Sequence, residues 1–120
     1  AGEVPIDFDL GDDARAITRE IDAFFAQHVT DEMRRKFHYS WEGFVPELNK
    51  MLADAKLLYL GLPKDVGGRG LTPYAKIAAM DAFEHQGYNN PAANVAQMVA
   101  IMIHRYGSEE LKRDVLARIM

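Results

Sequence analysis

Apolar residues recur at three- and four-residue steps along most of this chain, the spacing that stacks side chains on one face of an α-helix. Ile17, Ile21, Phe24, Phe25 and His28 form the first such face. Asp12 and Asp13 precede it, where acids cap free amides and meet the positive end of the helix dipole. A first helix over about 13–29 is predicted. Residues 30–39 are dense in charge and lack a clean period, so they either extend this helix or connect it. A second helix begins near 41–46, where Pro46 is tolerated in a first turn. Leu48, Met51, Leu52 and Ala55 supply its stripe, and it ends around 56–58.

The stretch from Leu58 to Leu71 holds three closely spaced glycines and a proline, which rules out a regular element. Thr72-Pro73 then offers a cap followed by proline at the first helical position. The third helix carries Tyr74, Ile77, Met80 and Phe83 and stops near Gly87. Asn90-Pro91 repeats the start signal for a fourth helix, which runs to Tyr106. Val95, Met98, Val99, Ile101, Met102 and Ile103 make it apolar on most of its circumference, the pattern of a helix buried on several sides. Ser108 caps a fifth helix with Glu109 and Glu110 in its first turn and Leu111, Val115, Leu116 and Ile119 on its face. The pattern predicts an all-α bundle of about five helices in a single domain over residues 1–120, without strands or repeats.

Composition narrows the class. At 120 residues, 48% hydrophobic and 27% charged, the chain suits one globular domain. A net charge of −4 with interleaved signs leaves no basic footprint for nucleic acid and no polybasic membrane segment. Cysteine is absent, which removes disulfides, thiol catalysis and thiolate metal sites within the chain and suits a cytoplasmic protein. No signal peptide is expected, and the apolar run from Pro91 to Ile103 is too short to span a bilayer. A start at Ala1 rather than Met points to processing or trimming.

Few residues carry obvious chemistry. Gly67-Gly68-Arg69-Gly70 could cradle a phosphate, but neither the P-loop continuation nor a preceding strand accompanies it, so a structural turn explains it better. His28, His38, His85 and His104 lack metal-ligand spacing. Ser40 and Ser108 sit where caps are wanted. Met80, Met98 and Met102 could line a plastic pocket, although methionine at helical spacing is usually core. Asn90, Asn94 and Met98 fall at four-residue steps and share one face of the fourth helix. Asn90 has a capping role to play. Asn94, one turn inside an apolar helix, either faces solvent or a backbone carbonyl, or lines a ligand cavity, and Gln97 follows it.

Two segments carry a resemblance. Leu62-Pro63-Lys64-Asp65-Val66-Gly67-Gly68-Arg69-Gly70-Leu71 resembles the L-P-x-x-x-G-G-x-G-L loop of acyl-CoA dehydrogenases. Tyr106-Gly107-Ser108-Glu109-Glu110-Leu111-Lys112, followed by Val115-Leu116, resembles their aromatic-G-[ST]-x-x-x-K-x-x-x-L signature. Order and spacing agree from about Asp13 to Met120, and Ala117 departs from the family's usual proline.

The resemblance implies the N-terminal helical domain of a longer, three-domain flavoprotein. It implies an enzyme that oxidises an acyl-CoA thioester at its α and β carbons. A catalytic carboxylate takes the α proton, and the β hydrogen passes as hydride to FAD. That base and most FAD contacts belong to later domains, so no catalytic residue is expected in this chain and it is read as a fragment cut at a domain boundary. An electron-transfer flavoprotein or similar acceptor and a homo- or hetero-oligomeric state, dimer or tetramer, are likewise implied. Acyl-CoA oxidases and flavin monooxygenases share this domain; outside the superfamily, the alternative is a non-enzymatic helical interaction module. The family's acyl-pocket positions correspond to Asn90, Asn94 and Met98. Two asparagines there imply an acyl group that is short or carries polar or ring functions.

Overall fold

A computed structural model describes residues 8–38 and 45–119. Its helices are α1 (Asp12–His28), α2 (Asp31–His38), α3 (Pro46–Asp54), α4 (Pro73–His85) and α5 (Pro91–Tyr106). A C-terminal helical segment follows, in which α6 (Glu109–Leu111) and α7 (Ala117–Ile119) flank a π-helical stretch over Lys112–Leu116. No strand occurs among the described residues. The all-α expectation holds, and the additional helix is α2, which the charge-dense segment after α1 left open.

α1 buries the face its spacing indicated: Ile17, Ile21, Phe24 and Phe25, together with Ala14. Ile21 and Phe25 are fully enclosed, and burial of side chains this size stabilises by about 1.5–3 kcal/mol each. His28 lies outside that core, its ring 5.0 Å from Phe24. Asp12 and Asp13 occupy the first turn without capping it; Gly11, at φ 101°, holds the cap position. Their placement suits the dipole alone. Met33 N–H donates to Thr30 Oγ1 at 3.2 Å, which starts α2 afresh. From α2, Arg34 donates to Gln86 Oε1 at 2.9 Å, and Gln86 Nε2 reaches Asp22 Oδ1 at 3.1 Å.

α3 opens with Pro46 in its first turn and buries Leu48 and Leu52. Residues 41–44, where the pattern also allowed its start, and Ser40 lie outside the described residues. The helix closes on Lys56, a non-glycine residue at φ 57°, with Leu57 N–H donating to Leu52 O at 2.8 Å. That is the geometry of a left-handed C-terminal cap.

α4 turns the other way from its sequence pattern. Tyr74, Ile77 and Met80 are more than half exposed, and the buried face is Ala75, Ala78, Ala79 and Ala82. This alanine face packs against α1, whose isoleucines and phenylalanines already supply the volume between the helices. Small side chains opposite them fill the space without overpacking. Phe83 alone of the expected set turns inward, edge-on to Phe25 at 5.8 Å.

α5 buries only Ala100, while Val95, Met98, Val99, Ile101 and Met102 stand exposed. Burial on several sides is therefore not achieved within this chain. The buried side chains form a large cluster built by α1, α3, α4, Phe37, Leu57, Leu60 and Tyr88. A small one joins Leu62, Ala100 and Leu116. Between them runs the glycine loop, which contains one 3-10 turn, Lys64–Val66. A Cβ on Gly68 would lie 2.1 Å from Leu62 O, so the loop closes on itself only with glycine there. Arg69 pins the loop to α1 by two bonds to Glu20 at 2.6 and 2.5 Å, and to α3 through Ala55 O at 3.1 Å. Among the described residues no helix is long and apolar enough to cross a membrane.

Candidate functional site

α4 packs its alanine face on α1, and the flank beside that face, with Lys76, Ala79, Met80, Phe83 and Glu84, lines a groove of about 250 Å³ shared with α5. Leu57, Leu58, Leu60, Ala79, Met80 and Phe83 give the groove apolar walls. Lys76, Glu84, Asn89, Asn90, Asn94 and Gln97 add polar groups. The volume falls just below the roughly 300–1,000 Å³ usual for small-molecule sites.

Asn90 is the buried polar residue at its end, 7% exposed. Its Oδ1 accepts from Ala93 N–H at 3.0 Å and caps α5. Its Nδ2 donates to Asn49 Oδ1 at 2.6 Å and to the Tyr88 hydroxyl at 3.0 Å. Both amide donors are therefore engaged inside the protein. Tyr88 is wedged among Phe25, Phe37 and Phe83, with ring centroids 5.4–6.0 Å apart. Burial raises the Tyr88 hydroxyl above the usual tyrosine value, only partly offset by the bond from Asn90.

Asn94, one turn on, is exposed and lines the groove; Gln97 lines it half-buried. Among the described residues, neither side-chain amide has a hydrogen-bond partner. Met98 is 67% exposed and lies outside the lining, as does Met102. Of the three residues singled out on α5, the structure brings Asn90 and Asn94 to the groove and leaves Met98 beside it. Gln97 could have been found from its three-residue offset to Asn94. Lys76 and Glu84 required knowing which way α4 faces.

The remaining sequence candidates have structural roles. Ser108 Oγ accepts from Leu111 N–H at 3.1 Å, as a cap. The amides of the glycine loop turn inward: Gly67 to Lys64 O, Gly68 to Pro63 O and Gly70 to Leu62 O. A phosphate would find those donors already used. No group of three metal-binding side chains occurs among the described residues. A second concavity of about 500 Å³ sets Asp65 and Glu109 beside His104, Lys112 and Arg113. Lys112 pairs with Glu109 at 3.4 Å there, and charges of both signs line it. In the α4–α5 groove, amides and one charge of each sign sit over an apolar floor, an arrangement that binds and orients.

The sequence profile described as "Acyl-CoA dehydrogenase, N-terminal domain" matches residues 11–120. No curated protein sequence matches. Among solved structures, the ChsE4-ChsE5 complex from Mycobacterium tuberculosis shares 28% identity with a TM-score of 0.74, over 97% of this chain and 29% of that one. A variant of the Tcur3481-Tcur3483 steroid ACAD shares 27% identity with a TM-score of 0.72, over 88% of this chain and 28% of that one. The chain thus spans less than a third of the length of either structure it matches. The profile match, over nearly all the residues that form these helices, shows that the chain belongs to the acyl-CoA dehydrogenase family as its N-terminal domain.

Proposed function

We propose that this domain forms one wall of the acyl pocket in a full-length FAD-dependent acyl-CoA dehydrogenase. The observation that carries the reading is the apolar-floored groove between α4 and α5, within a domain of this family. Substrate binding is the part of the work these residues fit. They do not fit a flavin site by themselves: the glycine-loop amides bond within the loop. FAD, which would take up the hydride lost from the substrate, is therefore assigned to the rest of the protein, with the catalytic base. The exposed apolar side of α5 suits packing against those parts or a partner subunit, since patches of this kind mark contact surfaces.

The acyl group is proposed to be ring-bearing. Support comes from the polar residues in the groove and from a structural neighbour described as a steroid ACAD. The other neighbour, described as a complex of two proteins, supports a hetero-oligomeric assembly. A cytoplasmic location and an electron-transfer flavoprotein or similar acceptor complete the proposal. The test is the visible spectrum of the natural-length protein, purified with any partner subunit and titrated with acyl-CoA thioesters. A yellow protein that bleaches anaerobically supports the reading. Bleaching followed by stoichiometric oxygen consumption would move it to an oxidase or monooxygenase. A protein that stays colourless with added FAD would refute it.

A further inference from the structure

We infer that Asn94 and Gln97 act as a pair that reads a hydroxyl or keto oxygen on the acyl group, and so set the specificity of the enzyme. The inference rests on the proposal that the groove receives the acyl moiety. Three observations on α5 carry it. First, Asn90 cannot be the reader, because its two amide donors are held by Asn49 and Tyr88 and its oxygen caps the helix. Second, Asn94 and Gln97 both line the groove, and their amides have no partner among the described residues. Three residues apart, they are neighbours on the helix surface. Third, α4 sets Met80 and Phe83 in the facing wall between Lys76 and Glu84, so of the two helices α5 supplies the uncharged hydrogen-bonding groups free to meet a neutral oxygen.

Each amide brings two donors and an acceptor. A plain alkyl chain filling the groove would strip water from both and return no hydrogen bond. A ring oxygen restores those bonds, accepting from either amide as a ketone and also donating to an amide oxygen as an alcohol. Sites that hydrogen-bond a substrate oxygen discriminate strongly against analogues that lack it. Asn90 is a positioning residue here: it fixes the start of α5 and thereby the rotation at which the pair meets the groove.

The test uses the full-length holoenzyme, with its partner subunit if it has one. The substrates are cyclohexanepropanoyl-CoA and its 4-hydroxy and 4-oxo counterparts. The readout is the ratio of kcat/KM between an oxygenated substrate and the plain one in a single preparation, which a partly misfolded variant does not distort. The expected wild-type ratio favours the oxygenated substrate by roughly tenfold or more. Asn94→Leu and Gln97→Leu each narrow it, the double variant brings it near one, and Asn94→Gln retains part of it. A wild-type ratio near one, or a ratio untouched by both leucine variants, overturns the inference while leaving the dehydrogenase reading in place. Oxidation of none of the three, with the flavin unbleached by any other acyl-CoA, overturns both.

Discussion

Removing the Asn90 side chain should unlatch α5 from the large core. In Asn90→Ala the helix loses its N-cap at Ala93, a change that costs about 0.5–2 kcal/mol. The bonds to Asn49 and to buried Tyr88 disappear as well, at about 1 kcal/mol each. The total is about 2.5–4 kcal/mol. Asn90→Ser retains a short acceptor for Ala93 but has no amide to reach Asn49 and Tyr88, so it should recover about 1 kcal/mol. Urea unfolding followed by helical circular dichroism measures both values. With a slope of roughly 1–3 kcal/mol per molar, the alanine variant unfolds at least about 0.8 M earlier. Amide exchange at Ala93 should also accelerate, which ties the loss to the cap. An alanine variant within about 0.5 kcal/mol of wild type would refute the latch. A serine variant no better than alanine would refute the assignment of part of the cost to the cap.

Other expectations are local and independent. Gly68→Ala forces a Cβ to within 2.1 Å of Leu62 O and should cost about 3 kcal/mol or more, read as a drop in Tm. Lys56→Gly relieves a left-handed backbone at φ 57° and should stabilise by up to about 1 kcal/mol in the same assay. Arg69 holds the Glu20 carboxyl below its ordinary value through a hydrogen-bonded ion pair. A lowered carboxylate stabilises the fold above its unfolded pKa, and that contribution fades as pH falls through the folded value. Glu20→Gln should therefore cost about 0.5–1 kcal/mol at pH 7, the scale of a partly exposed pair. Denaturation from pH 7 to pH 2 should show the gap between the two proteins closing below about pH 4.

The starts of the later helices were legible because capping is local. Thr72, Asn90 and Ser108 each accept from the amide three residues on, and no distant partner is needed. The direction α4 faces was not. Hydrophobicity alone ranks Tyr74, Ile77 and Met80 above alanine, yet the helix buries Ala75, Ala78, Ala79 and Ala82, because α1 brings the bulk. A volume match between two helices is invisible in either one alone. The groove was half legible for a geometric reason. A four-residue step overshoots a turn by about 40°, so Met98 stands about 80° round the helix from Asn90, whereas Gln97, seven residues on, stands within about 20°. Equal spacing in sequence pointed to methionine; the pitch of the helix points to glutamine.

The division of buried side chains into a large cluster and a small one has a thermodynamic meaning. α5 and the C-terminal helical segment contribute buried apolar side chains to the small cluster alone, so they form a unit expected to open at lower free energy than the bundle around α1. The groove lies on the seam, with Leu57, Ala79 and Phe83 on one bank and Asn94 and Gln97 on the other. Whatever fills it spans two cooperative units. Its binding energy is then shared between holding the ligand and holding the seam shut, and affinity and rigidity in this half of the domain become two readings of one equilibrium.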